Sequence, residues 1–324
     1  MSTSEVAHAV GPLAVGIDIG GTKIAAGVVD SAGHLLDQSR CLTPTTDARA
    51  VSEAVVALVA GLRRDHDVAA VGIGAAGYID ADREHVVFSP HVPWRHEPLR
   101  AAVAQRVGLP IVIDNDANFA AWAEWRFGAA RGLDTVVQVN LGTGIGGAVV
   151  LDGRLYRGHH GMAGEFGHQC VVPEGRACEC GNRGCWEQYA SGRVLDRWAV
   201  QAVADQTPMG EALVGAAGAP GLVDGATVGQ LAALGDPIAR EWLSEVGQWL
   251  GWGLANLAAV FDPAVFVVGG GLISNGDLLL DPARTAFAAA LTGRGFRPET
   301  PIVPAALGSD AGIIGAAIGA LDAQ

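Results

Sequence analysis

Lysine is nearly missing from this 324-residue chain: of its 21 basic residues, all but one are arginine. Acidic residues number 34, giving a formal net charge of −13 at pH 7 and a pI near 5.0. A nucleic-acid surface presents a basic patch, so this balance argues against one. Charged residues of both signs make up only 17% of the chain while 50% is hydrophobic, which excludes a disordered chain and leaves a compact globular one. No run approaches the roughly 18 apolar residues of a membrane span, so no membrane partner is expected. The N-terminus lacks the basic-then-apolar order of a secretory signal, and residues 1–12 read as a short disordered lead-in. The chain has five cysteines. Three of them crowd together beside a histidine, which fits metal-held thiolates in a reducing, cytoplasmic compartment better than a disulfide framework. The motif Gly-x-x-x-x-Gly-Lys-[Ser/Thr] is absent, which excludes a P-loop NTPase.

The most specific segment that is present runs Glu165-Phe166-Gly167-His168, then Cys178-Glu179-Cys180-Gly181-Asn182-Arg183-Gly184-Cys185-Trp186-Glu187. His168, Cys178, Cys180 and Cys185 form the ligand set of a closed Cys3His zinc site, and glycine turns let the loop fold back on one ion. Glu165 and Glu187 bracket these ligands without completing the metal shell. Both are therefore expected to be free to bind a polar ligand.

Apolar runs at Leu13–Ile19 and Ile24–Val29 have strand character around the turn Gly20-Gly21-Thr22, with a third strand near His34–Ser39. Residues 48–64 have helical spacing. A buried strand at Val68–Ile73 ends in the glycine loop Gly72–Gly77, followed by a helix near 97–107 and a strand at Pro110–Ile113. The second half opens in the same way, with strands Thr135–Leu141 and Ala148–Leu151 around Gly142–Gly147. Helical patterns then cover about 227–260, the strand Ala264–Val268 runs into Gly269-Gly270-Gly271, and a small-residue helix spans about Asp310 to Asp322. Two halves built as strand, glycine turn, strand suggest duplicated α/β domains facing a cleft, with ligands at the strand ends where the glycine loops lie. The expected division places a small domain at 13–114, with 310–324 packing back on it, and a larger one at 115–309 carrying the zinc site.

Two of these loops have the make-up of phosphate cradles. In Asp18-Ile19-Gly20-Gly21-Thr22-Lys23, glycine lets backbone N–H groups approach an anion and Thr22 adds a hydroxyl. Asp18 could hold Mg2+ through water, and Lys23 adds positive charge. The spacing Gly142-x-Gly144-x-x-Gly147 formally matches a dinucleotide fingerprint, but strand rather than helix follows, which fits a hairpin loop touching nucleotide phosphate better. Gly269–Gly271 permits close approach of a flat ligand such as adenine. Asp114-Asn115-Asp116-Ala117-Asn118 lies where strand gives way to helix 117–127. One of these residues caps the helix, and a further carboxylate there could take a proton from an attacking hydroxyl.

Taken together, these residues resemble the ROK family, and within it the zinc-containing bacterial glucokinases. The resemblance extends from the Asp18–Lys23 loop to the Gly312–Ala317 helix. It implies an α/β, actin/hexokinase-like (ribonuclease H-like) two-domain fold with a cleft between the domains, and ATP-dependent phosphorylation of glucose at the 6-hydroxyl. It further implies Asp116 as general base. Asn115, Glu165, His168 and Glu187 would bind the remaining sugar hydroxyls, and Gly77 would lie in a loop lining the pocket. His168 would give one ring nitrogen to zinc and the other to the sugar. Gly20, Gly21, Thr22, Gly142, Thr143 and Gly144 would hold ATP phosphates, with Gly269, Gly270 and Gly271 near adenosine. ATP, Mg2+ and structural Zn2+ are the implied cofactors, and a homodimer or homotetramer the implied assembly. The family also contains repressors, which need an N-terminal helix-turn-helix, and about a dozen residues before the first strand are too few for one. A kinase for an amino sugar such as N-acetylmannosamine or N-acetylglucosamine shares every motif. A non-catalytic sugar sensor is a further reading, against which Asp116 and both phosphate loops speak.

Overall fold

The computed structural model describes residues 11–44, 47–89 and 92–324; the expected lead-in, as far as residue 10, lies outside the described residues. Contacts divide the chain into two units. The first comprises the residues up to Gly132 with Ala148–Gly164 and Ala306–Gln324, and the second comprises Leu133–Gly147 with Glu165–Ala305.

The first unit is built on β1 (Leu13–Ile19), β2 (Lys23–Asp30), β3 (Leu35–Leu42), β4 (Val68–Ala75) and, after a small three-stranded sheet of β5 (Tyr78–Ile79), β6 (Val86–Phe88) and β7 (Arg95–Glu97), on β8 (Ile111–Asn115). The large sheet has the order β3-β2-β1-β4-β8. Strands β1 and β2 are antiparallel, whereas β1, β4 and β8 run parallel. Strand β1 shows the period-2 logic plainly. Val15, Ile17 and Ile19 join the core formed with α1 (Ala48–Leu62) and α2 (Leu99–Val107). The alternate face carries Ala14, Gly16 and Asp18 toward α9 (Ala311–Leu321).

Small residues on that second face let α9 lie unusually close to the sheet. A Cβ on Gly16 would stand 1.8 Å from the Ile313 carbonyl oxygen, and one on Gly72 1.8 Å from that of Ala316. Helix α3 (Asp116–Phe127) makes the same approach from the other side, with Gly315 facing the Phe119 carbonyl oxygen. The small-residue character of the closing helix therefore has the packing use expected of it. The glycines at 72 and 74 lie inside β4 rather than in a loop, as the Gly72–Gly77 reading had it, because helix packing is what they serve. Helix α3 packs on α9, so the change of unit comes at Gly132 and not at the expected Asp114.

The second sheet, of β11 (Arg154–Leu155), β10 (Ile145–Leu151), β9 (Val136–Leu141), β12 (Val265–Gly269) and β13 (Ile302–Pro304), has the order β11-β10-β9-β12-β13. Numbered within each sheet, both orders read third, second, first, fourth, fifth, so the weak internal repeat of the sequence is a repeat of topology. Helices α4 (Gly192–Ala204), α5 (Pro208–Ala217) and α6 (Gly225–Ala233) precede the long α7 (Pro237–Phe261), and α8 (Asp277–Ala290) packs along α7. The helical pattern expected over 227–260 is interrupted at Gly235–Pro237. There Asp236 caps α7 by accepting from the Ala239 N–H at 2.8 Å, and Pro237 occupies its first turn.

Candidate active site

In the first unit, the chain passes from β8 to α3 through Asp114-Asn115-Asp116, and the structure gives each residue a different task. Asn115 is the cap. Its Oδ1 accepts from the Ala117 and Asn118 N–H groups at 2.9 and 3.3 Å, and its Nδ2 donates to the Gly77 carbonyl at 3.1 Å. Asp114 is 1% exposed and serves as a structural anchor. Its Oδ2 accepts from Arg157 Nε at 2.7 Å and Nη2 at 2.6 Å, while Oδ1 accepts from Asn118 Nδ2 at 2.8 Å. Asp116, on the first turn of α3, is partly exposed, accepts from the Ala117 N–H at 3.0 Å through Oδ1, and sits where the helix dipole favours a carboxylate. Motif reading alone could not tell cap from anchor from base. Strand β8 ends at Asn115, two residues beyond the expected Ile113, which makes Asn115 the cap and buries Asp114.

The loop bearing Gly77 is pinned on several sides. Ala76 N–H donates to the Ile19 carbonyl at 3.0 Å and Ser89 Oγ to that of Ala76 at 2.7 Å, and a Cβ on Gly77 would stand 2.6 Å from the Phe88 carbonyl oxygen. Nearby, Asp18 closes β1. Burial pushes its carboxyl up to about 7, with the charge of Asp116 adding to the shift and Lys23 opposing it. Gly20 N–H donates to the Lys23 carbonyl at 3.0 Å across the turn, and Thr43 Oγ1 donates to the Gly20 carbonyl at 2.7 Å. Thr22 and Lys23 are exposed at its tip.

In the second unit, the Gly142–Gly144 turn is tied to the start of α4. Gly142 N–H donates to the Gly144 carbonyl at 3.0 Å, and Gly192 N–H to that of Gly142 at 2.8 Å. Gly142, Thr143 and Gly271 line one cavity of about 690 Å³ together with Asp196, Gln230 and Asn275. The last three come from α4, α6 and the 3-10 turn Gly271–Asn275, so no local motif links them, and the sequence reading did not find them. Gly269 and Gly270 are not lining residues. They admit β9: added Cβ atoms would stand 2.5 Å from Asn140 Oδ1 and 2.4 Å from the Leu141 carbonyl oxygen.

The cysteine segment of the same unit folds as its composition suggests. Four ligand atoms at about 2.0–2.3 Å from one zinc ion stand about 3.3–3.8 Å apart. Cys178 Sγ is 3.7 Å from His168 Nδ1 and Cys180 Sγ is 3.6 Å from Cys185 Sγ, with all four ligand atoms inside 4.8 Å. The residues therefore fit a Cys3His ion. Burial raises the Cys178 and Cys185 thiols above their ordinary range, the latter further through its thiol neighbours. At Cys180 burial is outweighed by the Asn182 backbone N–H and the adjacent thiols, which lower it. A divalent cation would stabilise all three as thiolates. Trp186 anchors the segment: it is fully buried, its Nε1 donates to the Trp249 carbonyl at 2.8 Å, and its indole occupies the notch at Gly253 of α7.

Glu187 departs from expectation. Rather than standing clear, its Oε1 lies 3.1 Å from Cys178 Sγ and 3.7 Å from His168 Nδ1, and its Oε2 fills the space where a Gly144 side chain would be. The carboxylate thus joins the metal-type cluster to the Gly142–Gly144 turn. Glu165 precedes the 3-10 turn Phe166–His168 and is partly buried. His168 Nδ1 faces the thiols, and its Nε2 is the ring nitrogen left for a second partner.

Two sheets of one strand order, each with a glycine turn between its first two strands, define an actin/hexokinase-like two-domain protein. The ROK family model matches residues 14–323, and the chain belongs to that family. It is 47% identical over 306 residues to a glucokinase of Streptomyces coelicolor, covering 94% of this chain and 96% of that one. A ROK family glucokinase from Streptomyces griseus, solved in complex with glucose and AMPPNP, superposes with a TM-score of 0.89 at 50% identity, covering 96% of this chain and 99% of that one. A ROK hexokinase from Thermus thermophilus gives a TM-score of 0.78 at 36% identity, with coverage of 96% and 99%.

Proposed function

We propose that this chain is a glucokinase that transfers the γ-phosphoryl group of ATP to the 6-hydroxyl of glucose. Its likeness to the Streptomyces glucokinases over nearly its whole length supports the activity. The observation that carries the mechanism is the division of labour at the β8–α3 junction. Asp114 is buried against Arg157 and Asn115 caps the helix, while Asp116 stands partly exposed on the first turn of α3, where a carboxylate can meet a substrate. In this reading Asp116 accepts the proton of the 6-hydroxyl as it attacks, a role worth about 10²–10⁴-fold. Asn115 orients the sugar through the amide hydrogen not given to Gly77. Glu165 and Glu187 accept from other hydroxyls, His168 donates its Nε2–H to a sugar oxygen, and the pinned Gly77 loop lines the pocket.

Gly20, Gly21 and Thr22 in the first unit and Gly142, Thr143 and Gly144 in the second are assigned to the ATP phosphates. The cavity that Gly142, Thr143 and Gly271 share with Asp196, Gln230 and Asn275 is assigned to the nucleoside. Mg2+ supplies charge neutralisation on the transferring phosphates, with Asp18 and Lys23 as the adjoining charges. Zinc held by His168, Cys178, Cys180 and Cys185 is structural, since four protein ligands leave no open position. Its effect is to fix the orientation and tautomer of His168. The need for thiolates and ATP supports a cytoplasmic setting, and a homodimer or homotetramer is the assembly expected, to be read by light scattering. Among the described residues no helix is long and apolar enough to cross a membrane.

The test is relative kcat/KM for a panel of hexoses with ATP, GTP and polyphosphate. Glucose with ATP should lead. Preference for N-acetylmannosamine or N-acetylglucosamine would transfer the reading to an amino-sugar kinase, and no ADP release with any hexose would leave only the sensor.

A further inference from the structure

On the first unit lies a second cavity of about 360 Å³, within the range of small-molecule sites, with neither Asp116 nor a residue of the glycine turns in its lining. Three arginines, Arg83, Arg154 and Arg157, line it over a floor that includes Phe119, Trp122 and Leu155. In a chain of net charge −13, three guanidinium groups around one hollow form a local reversal of the surface field. Only Arg157 is spoken for, by buried Asp114. The side chains of Arg83 and Arg154 make no hydrogen bond or ion pair among the described residues; Arg83 is half-buried and Arg154 is exposed. Burial weakens the hold of Arg83 on its own proton, the charges of Arg157 and Arg100 add to the shift, and that of Asp114 opposes it. The one acid in the wall, Asp322, is already engaged by Trp122 Nε1 at 2.9 Å and Arg126 Nη1 at 2.7 Å.

We infer that this hollow is a binding site for a compact phosphate monoester, whose dianion Arg83 and Arg154 receive while its body rests on Trp122 and Leu155. The chemistry matches on both counts. Guanidinium forks pair with phosphate oxygens through two parallel bonds, and an indole face accepts either a sugar ring or a base. The site also has a route to α3. Arg157 lines the hollow and holds Asp114, which in turn binds Asn118 and the backbone of Asn115. An anion that draws on Arg157 therefore acts on the junction carrying Asp116.

Isothermal titration calorimetry on the full chain, kept in saturating glucose and AMPPNP, tests this with glucose 6-phosphate and AMP as separate probes. At least one should bind, and the Arg83→Gln/Arg154→Gln double variant should bind it at least tenfold more weakly while its basal glucose phosphorylation is unchanged. Binding of the sugar phosphate or of the nucleotide tells which source fits. Binding of neither, or equal binding by the double variant, overturns the site. The bound probe should also shift the glucose KM of the wild type at least twofold, with no such shift in the double variant. Binding without that shift overturns the route to α3. The calorimetric comparison of the two proteins does not depend on the kinase reading, so either conclusion can fail without the other.

Discussion

At the scale of single residues, three adjacent polar side chains show how position assigns chemistry. Asp114, Asn115 and Asp116 could each cap a helix, and the sequence offers no reason to prefer one. Burial and Arg157 engage Asp114, the hydrogen bonds of Asn115 make it the cap, and Asp116 is the residue proposed as base. Asp116→Asn should lower kcat by at least about 10²-fold while glucose affinity, read by calorimetry, changes little. Retained turnover would remove Asp116 as the base. Asp18 gives a prediction of a different kind. Its folded pKa, about 7, lies above the value of 3.8 for a free side chain, so the folded state keeps a proton that the unfolded state has lost between those limits. Stability from this group therefore falls as pH rises from about 4 to about 7 and is level on either side. Asp18→Asn should match the wild type in denaturant midpoint near pH 4 and exceed it above pH 7; a pH-independent difference would contradict the burial account.

At the scale of elements, what could be read in advance was what local pattern controls. The strand–turn–strand openings, the α1 stripe of Val51, Val55, Leu58, Val59 and Leu62, and the cysteine loop all carry their cause in neighbouring residues. Strands β5, β6 and β7, of two or three residues each, are too short to show alternation, so the small sheet had no signature. The cavity residues Asp196, Gln230 and Asn275 meet only through tertiary packing. Gly16, Gly72 and Gly315 could be seen, but not what each faces, because that partner is a distant backbone carbonyl. Gly315→Ala should cost about 1–3 kcal/mol in urea unfolding, since its methyl would overlap the Phe119 carbonyl. Arg157→Ala, which strands a buried carboxylate, should cost about 3–5 kcal/mol. In the cysteine loop, Cys180→Ser should lower bound zinc, measured by elemental analysis, and weaken glucose binding together. Loss of zinc with unchanged affinity would break the proposed connection between the metal and His168.

At the scale of the molecule, two sheets share one strand order, and the proposed work is divided between two units. The first presents Asp116 and one glycine turn, and the second presents the second turn, the cavity assigned to the nucleoside and the Cys3His segment with Glu165 and Glu187. The scarcity of lysine has a counterpart here. Backbone amides of glycine turns, rather than a P-loop lysine, are assigned to the phosphates, and arginines are reserved for ion pairs and for the hollow beside Trp122. The central claim is that these parts together move a phosphoryl group from ATP to the 6-hydroxyl of glucose. Following a mixture of enzyme, glucose and Mg2+-ATP by 31P NMR tests it most directly. The account predicts that the γ-phosphate resonance of ATP is replaced by that of glucose 6-phosphate in equal amount; release of inorganic phosphate alone, or no change in ATP, would contradict it.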